Sequence, residues 1–389
     1  MWNQLCLKVI INGNSVFRGF CQRCIRGKFT SCFNQSGACH STSVLTQTGC
    51  VSNPPWRILF FGSDDFAVES LKRLHASRAN GTESVVDLLE VVTLSRSVPV
   101  RKFAEQHELR VHEWPNVDLS RQFDVGVVVS FGCLLQENLI NKLPYGILNV
   151  HPSLLPRWRG PAPVFHTILH GDKLTGVTIM QIRPKRFDVG PILSQELYEV
   201  PEHCTADELG STLAVMGARL LIDTLRKLPE RIASRREQAT EGATFAPKIS
   251  SSLSWLVWEE QTCDQISQLY RAIGSRVPLR TLWMGQTVRL LDFVGKCNVP
   301  FTEKSNSSSV PGSIYYQKES ATLLICCKDG WVGFKTVMLK KRLSAADFFN
   351  GYLHQSVLKK SPVQNNCRFL SYREKPEHFP SSHRKKCRH

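Results

Sequence analysis

The stretch Asp124-Val-Gly-Val-Val-Val-Ser-Phe-Gly132 runs from Val125 to Val129 without a polar side chain. A strand with one face in water alternates apolar and polar residues, whereas a strand covered on both faces has no need to. This segment therefore belongs in the middle of a sheet. On either side of it, Trp56-Arg-Ile-Leu-Phe-Phe-Gly62, Leu89-Glu-Val-Val-Thr-Leu94 and Ile147-Leu-Asn-Val-His151 read as further short apolar strands. Amphipathic helices are expected between them from about Phe66 and Pro99. Such alternation is the pattern of an α/β fold, a Rossmann-like parallel sheet with crossover helices. A helix near residues 163–170, two strands over 176–182 and 191–200, and a helix running to about Leu228 complete the domain. The last helix opens at a capping box, Thr205 with Glu208.

A chain of 389 residues can fill two cores. The segment 234–248, rich in charge, Gly and Ala, reads as a linker. Beyond it, a helix from about Cys263 to Ile273 precedes short strands punctuated by Pro278, Gly285, Pro311-Gly312 and Lys328-Asp-Gly330, which is the spacing of a small OB-like β-barrel. The expected organisation is a leader over 1–52, a catalytic domain over 53–233, the linker, a barrel over 249–358 and a basic disordered tail over 359–389. Residues 301–310 read as a flexible Ser/Asn-rich loop.

The net charge of +16 is unevenly spread. Residues 1–55 carry five Lys/Arg and no acid, residues 56–248 carry 23 of each sign, residues 249–358 carry twelve against eight, and residues 359–389 carry nine against two. An acid-free leader with scattered Lys8, Arg18, Arg23, Arg26 and Lys28 has the composition of a mitochondrial transit peptide, although Leu5–Ile11 shares some features of a secretory signal. No stretch reaches the roughly 18 apolar residues of a membrane helix. Six of the 14 cysteines lie in the leader, and the others lack metal-ligand spacing, so neither a zinc site nor a disulfide framework is expected. Cys326 and Cys327 read as small core residues on a strand. There is no G-x-G-x-x-G, which argues against a dinucleotide loop at Phe61-Gly62-Ser63.

The chemistry lies just after the ILNVH strand, in Asn149-Val-His-Pro-Ser-Leu-Leu-Pro-Arg-Trp-Arg-Gly-Pro-Ala-Pro163. Ligands of open α/β sheets bind outside the carboxyl ends of the strands, where Asn149, His151 and Phe131-Gly132 fall. An amide can donate to a developing oxyanion, an imidazole can carry a proton, and the carboxylate of Asp188 can orient the ring. Arg157 and Arg159 read as structural support or as phosphate contacts.

This block resembles the formyltransferases that use 10-formyltetrahydrofolate. The resemblance covers roughly residues 56–352 and includes Phe61-Gly-Ser-Asp-Asp-Phe-Ala67, Ser130-Phe-Gly132, Thr175-Gly-Val-Thr-Ile-Met-Gln181 and Asp188-Val-Gly190. Phe245-Ala-Pro-Lys248 and Pro311-Gly312 resemble the branch whose acceptor is methionyl-tRNA. The resemblance implies a catalytic trio of Asn149, His151 and Asp188, with Ser153, Leu154, Leu155 and Pro156 lining the folate site. It also implies formyl transfer from 10-formyltetrahydrofolate to the α-amine of methionyl-tRNA by a monomeric, mitochondrial matrix enzyme without a metal. The barrel would hold the RNA, with Lys335, Lys340, Lys341 and Arg342 as a phosphate-tracking stripe. Two features depart from the pattern. Only Ser95-Arg-Ser-Val98 stands where many members carry a longer basic loop, and Arg183-Pro-Lys-Arg-Phe187 is unusually basic. A family member acting on a small amine, a formyltetrahydrofolate hydrolase, and a catalytically silent RNA binder remain alternatives.

Overall fold

The structure is a computed structural model that describes residues 53–78, 84–94, 97–299, 310–353 and 368–372. The leader, Ser95, Arg96, most of the Ser/Asn-rich loop and most of the tail lie outside the described residues.

Seven strands form the first sheet: β1 Trp56–Gly62, β2 Val86–Thr93, β3 Arg110–Glu113, β4 Val125–Val129, β5 Ile147–His151, β6 Leu174–Gln181 and β7 Ile192–Glu199. Their order is β3-β2-β1-β4-β5-β6-β7, which puts β4 in the centre with all five residues buried, as its uninterrupted apolar run requires. The strands from β1 to β5 pair in parallel, while β5–β6 and β6–β7 pair antiparallel. The expected sheet is thus mostly rather than wholly parallel. β6 and β7 are joined by a loop at a single end of the sheet, and that connection can only make an antiparallel pair. In this register His151 lies opposite Thr178.

Helix α1, Asp65–Ala76, and helix α2, Ala206–Arg226, pack on one face of the sheet, and the Trp56 indole donates to the Leu225 carbonyl at 2.8 Å. The capping box at the start of α2 forms as expected. Thr205 Oγ1 accepts from the Glu208 N–H and Glu208 Oε2 accepts from the Thr205 N–H. Asp64 caps α1, its Oδ1 accepting from Ala67 N–H at 3.0 Å. Burial raises the pKa of this carboxyl from 3.8 to about 6. The raised value means that the folded state binds the proton more tightly, so stability falls as pH rises from about 4 to 6 and the penalty is constant above that. Asparagine caps a helix as well as aspartate does. Asp64→Asn is therefore expected to stabilise the protein at pH 7 by on the order of 1 kcal/mol, with the gain fading as pH falls toward 4. Denaturant unfolding at pH 7 and pH 4.5 checks this, and an equal gain at both would sink it.

The second domain is an antiparallel sheet of β8 Leu279–Trp283, β9 Gln286–Cys297, β10 Ile314–Gln317, β11 Thr322–Cys326, β12 Trp331–Met338 and β13 Arg342–Ser344, in the order β10-β11-β12-β9-β8 with β13 beside β12. Its two edges are joined by residues expected to be disordered tail. Leu370 exchanges two backbone hydrogen bonds with Leu282 on β8, and Phe369 N–H donates to Gly312 O just ahead of β10. The Phe369 ring is 1% exposed and packs among Trp258, Trp283 and Phe348. Two apolar residues in a basic stretch suffice for this because the core supplies their contacts. Cys263, at the start of helix α3 Cys263–Ile273, brings its sulfur to 3.4 Å from that of Cys327, and burial pushes both thiols up.

The domains dock through α3 and the turn that follows it. Arg276 pairs with Asp207 at 2.6 Å and its guanidinium lies over the Phe165 ring, while Arg271 donates to Cys204 O. One hydrophobic cluster runs through both domains.

Candidate active site

Asn149 and His151 leave β5 at its carboxyl end, and Asp188 reaches them from the loop between β6 and β7. The Asn149 amide donates to Asp188 Oδ1 at 3.1 Å, and the Gly160 N–H donates to Asp188 Oδ2 at 2.9 Å. His151 Nδ1 stands 3.7 Å from Asp188 Oδ1, too far for a strong hydrogen bond. Its other nitrogen, Nε2, is 2.9 Å from Trp158 O. A carbonyl only accepts, so Nε2 must carry a proton and Nδ1 is the atom left to gain or lose one. The nearest acceptor to the imidazole is thus the Trp158 carbonyl rather than the Asp188 carboxylate that the sequence suggested for orienting it. Trp158 O holds the ring at Nε2, and the carboxylate holds the Asn149 amide and the Gly160 N–H.

The backbone around Asp188 is unusual for a reason. Asp188 itself has φ +52°, and a β-carbon on Gly190 would lie 1.8 Å from Gln181 O. Gly160, at φ +117°, stands against Ala246, whose carbonyl oxygen would be 2.8 Å from a β-carbon there. Only glycine fits at these two approaches.

The 234–248 segment departs from the linker reading and wraps the site. Arg236 and Ile192 exchange backbone hydrogen bonds. The Gln238 amide donates to the carbonyls of Asp188 and Gly190, Thr244 Oγ1 accepts from Trp158 N–H, and Ala246 pairs with Arg159 and Ala162. Its polar residues are spent on bonding to the motif, which composition alone does not distinguish from solvation. Gln238 and Thr244 are site residues that the sequence reading missed, along with Thr178 and Gln195.

Of the residues expected to line the folate site, Ser153 and Leu155 are buried, and Leu154 and Pro156 keep some exposure. Ser153 Oγ donates to Arg157 O, and Leu155 packs on Met180 and Ile192. Thr178 Oγ1 donates to Ser153 O and accepts from Leu155 N–H, while Gln195 donates to Leu155 O. The loop is thus held from beneath, leaving Leu154 and Pro156 as its surface. Arg157 forms a bidentate pair with Asp172 and stacks on Trp158, which fits structural support.

A model of the formyl transferase family matches residues 57–225, and a model of the formyl transferase C-terminal domain matches residues 248–353. The chain belongs to the formyl transferase family. This formyltransferase is 56% identical over 327 residues to the mitochondrial methionyl-tRNA formyltransferase of Homo sapiens, covering 82% of this chain and 84% of that one. It is 50% identical over 356 residues to the same-named protein of Rattus norvegicus, covering 90% and 92%. Among solved structures, an N-formyltransferase from Helicobacter canadensis in complex with folinic acid and dTDP-3-aminofucose shares the fold at 15% identity, with a TM-score of 0.53 over 74% of this chain and all of that one. The formyltransferase fold therefore accounts for both halves of the chain, with 10-formyltetrahydrofolate as the co-substrate.

Proposed function

We infer that the protein transfers the formyl group of 10-formyltetrahydrofolate to the α-amine of methionyl-tRNA, in the mitochondrial matrix, to supply translation initiation, and that it does so as a monomer. The observation that carries the reading is the similarity to mitochondrial methionyl-tRNA formyltransferases across both domains, 50–56% identical. The site supports it by bringing Asn149, His151 and Asp188 together, and it is completed by the chain's own 234–248 strap. No helix among the described residues is long and apolar enough to cross a membrane.

In this reading the amine attacks the formyl carbon, and the carbonyl oxygen becomes an oxyanion. One N–H of the Asn149 amide is held by Asp188, so the other is free to donate to that oxygen. His151, when it carries a proton on Nδ1, adds a second donor. The same ring can then pass its proton to N10 of the departing tetrahydrofolate, while the attacking nitrogen loses one to solvent or to Asp188. The folate lies along Leu154 and Pro156 at the carboxyl ends of β4 and β5. The second domain holds the RNA. Of its expected basic stripe, Arg342 is engaged by Asp292 and Lys335 by Ser320 O, whereas Lys340 and Lys341 stand exposed on the β12–β13 turn.

The test offers purified protein 10-formyltetrahydrofolate together with methionyl-tRNA, uncharged tRNA or free methionine. Formylation is expected with methionyl-tRNA alone, and its KM should rise steeply with salt, as phosphate contacts require. Formate release without an acceptor would make the protein a hydrolase. RNA binding without turnover would make it a silent binder.

A further inference from the structure

Phe245 is the most exposed aromatic side chain among the described residues, 71% accessible, yet its backbone is among the best held. Arg159 N–H donates to Thr244 O at 2.9 Å and Ala246 N–H donates to Arg159 O at 2.7 Å, making a short parallel bridge between Phe245 and Arg159. Thr244 and Ala246 turn inward, Ala246 fully buried, and alternation sends the ring between them outward. A phenyl face fixed in water by a rigid backbone gains nothing from folding, but it loses little freedom when something stacks on it.

Its position says what that something is. Asp188 Oδ2 holds Gly160 N–H, Gly160 stands against Ala246 O, and Phe245 directly precedes Ala246, so its backbone lies two contacts away from the Asp188 carboxylate. On the proposed substrate, the reacting amine is tied through one short aminoacyl ester to the ribose of the terminal nucleotide. The base of that nucleotide must therefore come to rest beside the site. Positive charge is in place for the adjoining phosphate. The Arg159 guanidinium is fixed by Gln238 Oε1 and stands close enough to Arg186 for the two positive charges to feel each other, so both can serve one anion.

We propose that Phe245 is the platform on which the 3′-terminal base of the aminoacyl-tRNA stacks, with Arg159 and Arg186 facing the phosphate on its 5′ side. The inference rests on the methionyl-tRNA reading above and deepens it. Phe245 positions the acceptor and takes no part in bond making, so its loss should appear in substrate affinity.

The experiment measures steady-state formylation by the full protein and by Phe245→Ala, Phe245→Trp and Phe187→Ala. It is paired with binding of a tRNA carrying 2-aminopurine as its terminal base. Base stacking on an aromatic ring is strong enough that Phe245→Ala should raise KM for methionyl-tRNA by about 5- to 100-fold, leaving kcat and the KM of the folate donor within about twofold. Phe245→Trp should restore KM, and 2-aminopurine fluorescence should be quenched by the wild type and not by Phe245→Ala. Arg186→Ala should reduce the salt dependence of KM by about one unit of slope. An unchanged KM in Phe245→Ala, the selective loss appearing in Phe187→Ala instead, or a fall in kcat that tryptophan does not rescue would each overturn the platform. An unchanged salt slope would overturn the phosphate assignment. Absence of methionyl-tRNA formylation by the wild type would fell the underlying reading itself, which separates the two failures.

Discussion

His151→Ala is expected to lower kcat by on the order of 10²-fold or more while leaving KM for methionyl-tRNA nearly unchanged. The imidazole is the only group of the trio that can both donate to the oxyanion and return a proton to the leaving nitrogen, so its benefit exists only in the transition state. The substitution also orphans the Trp158 carbonyl, now bonded to Nε2 at 2.9 Å, at a cost of about 1–3 kcal/mol. That cost could be mistaken for a catalytic one. His151→Gln separates them, because its amide can donate to Trp158 O but cannot titrate. Both variants should show the same large loss of kcat, and the glutamine variant should unfold close to the wild type. Turnover in either variant at the wild-type rate would show that the proton carrier lies elsewhere.

Ending the chain at residue 353 is expected to unfold the second domain and with it to abolish formylation of methionyl-tRNA. The truncation removes the pairing of Leu370 with β8 and strips the Phe369 ring from the centre of an aromatic cluster. The single change Phe369→Ala deletes a ring buried to 1% and should cost about 3–5 kcal/mol, the range for a large core side chain that leaves a cavity. The truncated chain loses that and also bares a strand edge, which invites self-association. Urea unfolding monitored by tryptophan fluorescence reports on both, since Trp258 and Trp283 flank Phe369. A truncated protein with the wild-type midpoint would mean that the closing segment contributes nothing.

The parts of this molecule that were legible in the sequence are those where short-range pattern and long-range packing agree. Val125–Val129 announces a central strand because burial on both faces leaves no place for a polar residue. Thr205 and Glu208 announce a helix start because the capping bonds span only three residues. The NVHPSLLPRWRGPAP block marks a candidate site, and within it the structure brings the Asn149 amide to 3.1 Å from Asp188. What stayed hidden is non-local and polar. The Gln238 amide holds Asp188 across 50 residues, and Leu370 meets Thr281 across 89. Neither glutamine nor a lone leucine in a basic tail carries a periodicity that would reveal its partner. The division of labour between Trp158 O and Asp188 was hidden for a similar reason, since residue types show that an imidazole needs an orienting group but not which acceptor reaches it.

The strap over 234–248 also bears on how such a protein can be cut and recombined. It looks like a hinge between two cassettes, yet a breakpoint placed within it would leave the acyl-transfer half without Gln238 behind the Asp188 loop and without Thr244 and Ala246 beside the motif. A chimera exchanging RNA-binding modules must therefore carry the whole strap with the first domain and make its junction after Pro247. The functional seam of this chain lies some fifteen residues beyond the point where its last helix of that domain, Leu228–Ala233, comes to an end.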